Sequence, residues 1–435
     1  FVHHYPVIPA NTFALTTYGG NGDGVTDNTT ALQNAVDAAS AAGGGTITVG
    51  AGTYRVNGVV SWASGVGMTG AGEANTIFNL YGLAAFQRGG SVDAPITDCR
   101  FEGFTVDGTN QTGLAKAFFI TYCLRHHYKN VTVREIAATG FGSDFMRDSI
   151  YENCTAINCG RLGTTSSPGC SGFGIGTGAY PVENLAVINC IATGNKRYGV
   201  FFERQTIGFY NSFGPQVING TFTGNYRGIG DNWVSGLIVH GAKSYGNLDA
   251  GIYIGADAGA EGGCDGLILG CDVYSNAGEG IVVDYISGVP LGGYTIRNNN
   301  IHNNAKTGIE ARTSGSLGNI TISANNVYLN TQAGVKLNSG LDVSVALHDF
   351  TINANRIYNN AYGIHVIANL LRVHVLTNVC FDDQGVKTQD YGYINWAGGT
   401  TTDSEIINND FRGNKSGGYT DSSTLVNTTV SGNLI

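Results

Sequence analysis

Proline and methionine are scarce, 7 and 2 residues in 435, and charged residues make up only 13% of the chain. No apolar run is long enough to span a bilayer, which excludes a membrane-spanning helix and leaves a soluble protein as the expectation. Basic residues are outnumbered, giving a formal net charge of −9 and a pI near 5.4. That balance excludes a nucleic-acid surface, which needs clustered Lys and Arg. It also weighs against a strongly anionic polysaccharide unless cations or a local basic patch mediate the contact. There is no Cys-x-x-Cys pair and no His-rich cluster, so no metal site is expected. Coiled-coil heptads are missing as well, so the homotrimer that this type of architecture allows has no motif behind it. Phe1 opens the chain without Met or a signal-like apolar segment, and the expectation is a mature or trimmed form of a secreted or virion-associated protein.

What is abundant is glycine, 66 residues, and much of it belongs to a recurring phrase between Asn189 and Ala368. An Asn is followed after three or four residues by Gly, an aliphatic residue, any residue, and usually a second apolar one. Asn195, Asn225, Asn247, Asn276, Asn304, Asn330 and Asn360 head seven copies, spaced by 22 to 30 residues. Such a period, with apolar residues alternating along each copy, predicts a repeat architecture in which each copy is one coil. The unit holds too few strands for a propeller blade, and the Leu spacing of a leucine-rich repeat is absent. The fold class expected is therefore all-β, a single-stranded right-handed parallel β-helix, with the seven Asn stacked as a ladder at one corner.

The expected organisation is an N-terminal arm and capping helix over 1–60, the β-helix over 61–380, and the last coils with a C-terminal cap over 381–435. Residues 29–42 carry the best amphipathic pattern of the chain, with Leu32, Ala35, Val36 and Ala39 on one face, Asp27 or Asn28 as cap and Gly43-Gly44-Gly45 as stop. The nine Cys include Cys154, Cys190 and Cys271, each five residues before the Asn position of its coil. They either stack inward as small apolar residues or form disulfides, such as one between Cys154 and Cys190.

The N-terminal run Tyr18-Gly19-Gly20-Asn21-Gly22-Asp23-Gly24-Val25-Thr26-Asp27, followed by a helix, a triple glycine and Gly52-Thr53-Tyr54, resembles the opening of the pectate-lyase-like superfamily. Gly103-Phe104-Thr105-Val106-Asp107-Gly108 is similar to that family's next phrase. The resemblance implies the β-helix fold and a carbohydrate-directed role. It leaves the reaction open, since the superfamily includes lyases, hydrolases, sugar epimerases and phage tail-spike depolymerases. Gly140-Phe141-Gly142-Ser143-Asp144 resembles the catalytic stretch of the mannuronan C-5-epimerases, with Asp144 at the position of their Asp. Phe145-Met146-Arg147 replaces Pro-His-Glu, and Gly176 stands where those enzymes have a second Asp.

Counting four residues from the Gly of each phrase gives an outward position on successive coils: Asp144, Gly176, Glu203, Asn232, Gly255, Asp284, Arg312 and Asn338. Carboxylates on such a face raise one another's pKa, which is the equipment for glycosidic bond cleavage. Glu203 and Asp231 are expected as the acid and the nucleophile or base, with Asp144 and Asp284 as substitutes. Arg204, Arg227, Asn232 and Arg312 would bind substrate, and Trp233, Tyr253 and Tyr285 would stack on sugar rings, with an aromatic insertion at Phe209 to Phe213. Three insertions, Gly160 to Ser171, Gln205 to Gln216 and Ala256 to Gly263, are placed to build a cleft. The function expected is cleavage of a poly- or oligosaccharide, by a glycoside hydrolase or transglycosylase and with no cofactor. The rivals are a polysaccharide lyase or uronate epimerase, using Arg197, Arg227 or a Tyr and bringing in calcium, and a non-catalytic glycan-binding adhesin or tail-spike stalk.

Overall fold

The computed structural model describes residues 4–435 apart from 168, 181, 206–212, 233, 257–264, 286–292, 314, 316, 340–345 and 397. The chain forms two compact units, Phe1–Tyr226 and Arg227–Ile435. Each is a parallel β-solenoid in which every strand pairs with its counterpart one coil further on.

In the first unit the strands Val59–Ser61 (β1), Ala85–Arg88 (β2), Phe118–Thr121 (β3), Phe141–Asp144 (β4), Phe173–Thr177 (β5) and Tyr198–Arg204 (β6) form one parallel sheet. Phe86, Phe118, Phe141, Phe173 and Val200 are in register, so one inward column runs through the sheet. Successive rings of its four Phe stack with centroids 5.5, 5.7 and 4.7 Å apart, and a second column of Phe101, Tyr128 and Tyr151 stacks beside it at 4.9 and 4.7 Å. Identical rings stack because parallel in-register strands set equal residues about 4.8 Å apart, close to ring contact distance. The helix α1, Thr29–Ala41, buries Ala31, Leu32, Ala35, Val36 and Ala39 against the first coils, as its pattern predicts. Asn28 holds the N-cap position with its side chain engaged by Asn21 and Thr26, and Asp27 before it supplies the carboxylate that accepts the Thr29 N–H at 3.0 Å.

In the second unit the matching strands are Arg227–Asn232 (β7), Ile252–Ala256 (β8), Ile281–Tyr285 (β9), Ile309–Thr313 (β10), Ala333–Asn338 (β11), Tyr362–Ile367 (β12), Tyr391–Asn395 (β13) and Gly417–Asp421 (β14). The aliphatic residue after each phrase Gly forms the inward column Ile229, Ile252, Ile281, Ile309, Val335, Ile364, continued by Tyr393. Gly is required before it because the space is taken: a Cβ on Gly308 would lie 2.4 Å from Val327 and 2.7 Å from the Gly334 carbonyl.

The Asn ladder is present in each unit. In the second, Asn247, Asn276, Asn304, Asn330 and Asn360 each donate the side-chain amide to the next residue's Oδ1 at 2.9 to 3.0 Å, up to Asn360. In the first, Asn195 does the same to Asn225 at 2.8 Å. A second ladder, which sequence reading missed, runs through Asn299, Asn325, Asn355, Asn378 and Asn409. It continues from Cys271 within the second unit: Asn299 Oδ1 accepts the Cys271 N–H at 2.8 Å. The eight described Cys are buried free thiols, which agrees with inward stacking, and Cys264 lies outside the described residues. No described helix is long and apolar enough to cross a membrane.

Candidate functional site

Alternation along a strand sends every second side chain outward, so the sheet β1–β6 carries two outward rows. One row is Gln87, Phe119, Gly142, Gly174 and Phe201; the other is Thr121, Asp144, Gly176 and Glu203. The expected register of Asp144, Gly176 and Glu203 therefore holds within this unit. Two hollows lie along these rows. The first, of about 420 Å³, is lined by Ser61, Gln87, Arg88, Gly89, Phe119 and Thr121. The second, of about 230 Å³, is bounded by Lys116, Asp144, Arg197, Phe201, Glu203 and Gln205, with Gly174 and Gly176 on its floor. Thr121 of the first is the strand partner of Asp144 of the second, so the hollows adjoin as one trough. The insertion at Gly160 to Ser171 supplies Gly169 and Ser171 to its wall, as expected of a cleft-building loop.

Glycines make the room. A Cβ on Gly176 would sit 2.6 Å from Asp144 Oδ1 and 2.7 Å from Gln205 Cδ, so only glycine lets those groups meet above it. There Gln205 Nε2 donates to Asp144 Oδ1 at 2.9 Å. A Cβ on Gly142 would lie 2.5 Å from Lys116 Cδ, so the Lys116 stem crosses the sheet over a glycine and sets its ammonium 3.6 Å from the centre of the Phe119 ring. Burial pushes the Lys116 pKa down, and the carboxylates of Asp144 and then Glu203 partly offset that. Arg197 lies over the Phe201 ring at 4.7 Å. Lys116 and Gln205 are the site residues that sequence reading missed. Lys116 lies in a non-repeating segment, and only the register of β3 with β4 brings it over Gly142.

Asp231 is a correction. It is the third residue after Gly228, not the fourth, and alternation points it inward, where it is 1% exposed. It accepts the Gly255 N–H at 3.2 Å and faces the Tyr294 hydroxyl at 3.4 Å. Burial outweighs these bonds and that of the Val234 N–H, and raises its pKa to about 8. A carboxyl closed off from solvent cannot meet a polysaccharide, so it does not partner Glu203 on an outer face.

Asn232, Gly255, Asp284, Arg312 and Asn338 form the expected outward row in the second unit. Here the charges are neutralised locally. Arg312 is 2.8 Å from Asp284 and also faces Glu279 and Glu310; Lys306 pairs with Glu279 and Lys336 with Glu310. Tyr253 donates to Asp284 at 2.7 Å, and its ring carries Arg227, which pairs with Asp249. Asp284 is thus held by Arg312 and the Tyr253 hydroxyl. Arg204 is the strand partner of Thr177. Trp233, the Tyr285 side chain, Phe209, Tyr210, the Phe213 side chain, Asp257 and Glu261 lie outside the described residues.

This arrangement of coils and trough can be set beside known proteins. The family model for rhamnogalacturonase A/epimerase, pectate lyase-like, matches residues 12–253, more than half of the chain. The chain belongs to the pectate-lyase-like family. A second model, that of the periplasmic copper-binding protein NosD, matches residues 188–419, also more than half, so membership extends to that repeat family. Among the described residues no three His, Cys, Asp or Glu side chains come together as a metal-holding set, and the described thiols are buried within the coils. These residues do not fit a copper centre. The mannuronan C5-epimerase AlgE5 of Azotobacter vinelandii is 27% identical over 257 residues, 49% of this chain and 25% of its own. Alginate lyase 7 of the same organism is 27% identical over 197 residues, 35% of this chain and 23% of its own. The chain thus spans a quarter or less of the length of these pectate-lyase-like relatives. Among solved structures, the A-module of the A. vinelandii epimerase AlgE6 superposes with a TM-score of 0.52 at 19% identity, covering 97% of this chain and 98% of that one, which supports the shared fold.

Proposed function

We propose that the trough of the first unit is the active site of a secreted or virion-associated polysaccharide-cleaving enzyme, with Glu203 as acid and Asp144 as base. One observation carries this: the two carboxylates stand in one outward row, two coils apart, with only Gly176 between them. Two strand spacings amount to roughly 9–10 Å between their backbones. Inverting glycosidases hold their carboxyls about 6.5–9.5 Å apart, leaving room for a water beside the sugar. In the reaction Glu203 donates its proton to the glycosidic oxygen as the bond to the anomeric carbon breaks. Water attacks that carbon from the opposite face and gives its proton to Asp144. The Gln205 amide donates to Asp144 Oδ1 at 2.9 Å and holds that carboxyl group in position for the base role. Arg88, Gln87 and Thr121 in the adjoining hollow would hold the neighbouring sugars.

A second reading, elimination at a uronate, is favoured by Lys116. A buried amine pushed toward neutrality beside Arg197 is equipment for abstracting a proton next to a carboxylate that the guanidinium neutralises. The curated relatives named above, epimerase and lyase, both act on uronate chains by their names. Incubation with mannuronan and with neutral glucans, following reducing ends together with the ultraviolet absorbance of an unsaturated uronate, separates the two. New reducing ends without absorbance, lost in Glu203→Gln, support hydrolysis. Absorbance that survives in Glu203→Gln and is lost in Lys116→Met transfers the assignment to elimination, and retention on these glycans without any product leaves a binding module.

A further inference from the structure

Among the described residues of the second unit, Trp396 is the one Phe, Tyr or Trp side chain that is more than half exposed. Trp396 follows β13 and donates its backbone N–H to Val366 at 3.2 Å, so it extends the outward row through Asp284, Arg312, Asn338 and Ile367. It stands fourth after the Gly of its phrase, Gly392, the same rank in the coil that Asp144 and Glu203 hold in the first unit. Its side chain is 55% exposed. The indole is braced edge-on by two rings, Tyr362 at 5.3 Å and His365 at 5.1 Å, with interplanar angles of 75° and 80°. Both neighbours meet the indole at near right angles, and neither lies stacked parallel on it. His365, 7% exposed, has an Nε2 with no hydrogen-bond partner, and on the next coil Lys336 reaches Glu310 at 3.3 Å.

We infer that Trp396 is the platform of a second, non-catalytic glycan-binding site, on which one pyranose ring of a polysaccharide stacks while its hydroxyls meet the polar row beside it. The occupant is argued from size and chemistry. A single large aromatic offers roughly 150–250 Å², whereas a stable protein partner needs about 800 Å² per side. Asp284, Arg312 and Asn338 stand in the same row at intervals of roughly 4.8 Å, with Ile367 between Asn338 and the ring, a spacing near that of sugar units in an extended chain. The apolar face and hydroxyl rim of a pyranose match a ring flanked by such groups. This inference rests on the polysaccharide reading for its ligand class but uses none of the trough residues.

The test is electrophoretic retention of the full chain in gels cast with mannuronan or with a neutral β-glucan, for wild type, Trp396→Ala and Trp396→Phe. Trp396→Ala is expected to weaken the apparent Kd about tenfold, and Trp396→Phe to keep most of the retention. A glycan-induced shift in tryptophan emission, measured in a Trp233→Phe background, should vanish on adding Trp396→Phe, since Trp62 is fully buried. Retention of Trp396→Ala equal to wild type, with its unfolding midpoint unchanged, would overturn the site and leave the active-site assignment intact. Wild-type protein retained yet inert toward every glycan would sink the catalytic reading and leave this site standing. A drop in sedimenting mass on Trp396→Ala, without change in retention, would overturn it in favour of an interface with a second copy.

Discussion

Asp231→Asn should make the protein more stable at neutral pH, against the usual direction of a core substitution. The buried carboxyl of Asp231 holds its proton up to about pH 8, against an ordinary value of 3.8. Because the folded value lies above the unfolded one, its contribution is fully present below pH 3.8 and is lost as pH rises through about 8. Between those limits the native state binds one proton more than the unfolded chain, so stability falls by ~1.4 kcal/mol per pH unit. From pH 4 to pH 7 that is roughly 4 kcal/mol, an upper figure because burial shifts of this size relax in part. Asn keeps an oxygen for the Gly255 N–H and carries no charge to desolvate. Thermal unfolding of both proteins from pH 4 to pH 8 checks this. The variant's midpoint should match wild type near pH 4 and exceed it by roughly 4–5 °C at pH 7. Parallel curves across the range would refute a neutral, inward Asp231. Glu183, also buried with its pKa raised to about 8, gives wild type a further slope of the same sign that remains in the variant.

Gly176→Ala should fold, since the atoms its Cβ meets are ends of flexible side chains, yet lose activity as Gln205 is driven off Asp144; circular dichroism and turnover measured together check both halves. Asn304→Ala removes the acceptor of two Asn276 donors and the partner of Asn330, all buried, and should cost about 2–4 kcal/mol in denaturant unfolding. Reductant should leave the thermal midpoint unchanged, because the eight described thiols form no disulfide; a drop would show Cys264 bonded to one of them or to a second copy of the chain. Lys116→Met should leave unfolding within about 1 kcal/mol, because Met keeps an apolar stem over Gly142; denaturant unfolding checks this.

The coil was legible because its signals are local and repeated: Gly before an inward aliphatic, Asn at the corner, and strict alternation between them. The same counting located Asp144 and Glu203, and applied strictly it would have rejected Asp231, which breaks parity with its own row. Proximity in sequence space had stood in for direction. The second Asn ladder was hidden because its column opens with Cys271 and turns to Asn only from Asn299 onward, so no one residue type marks it. Lys116 and Gln205 were out of reach for a different reason. Neither belongs to the repeat, and each finds its place only through a glycine one or two coils away, at 142 and 176. Local neutralisation of Asp284 by Arg312 is likewise a property of stacking across coils.

The most direct measurement compares the initial rate of glycan cleavage for Asp144→Asn, Glu203→Gln and Asp231→Asn, each shown to be folded, on whichever glycan the wild type cleaves. The account predicts that the first two fall by about 10²–10⁴-fold while Asp231→Asn keeps its activity. Loss of activity in Asp231→Asn with Asp144→Asn unaffected would contradict it and move the chemistry out of the trough of the first unit.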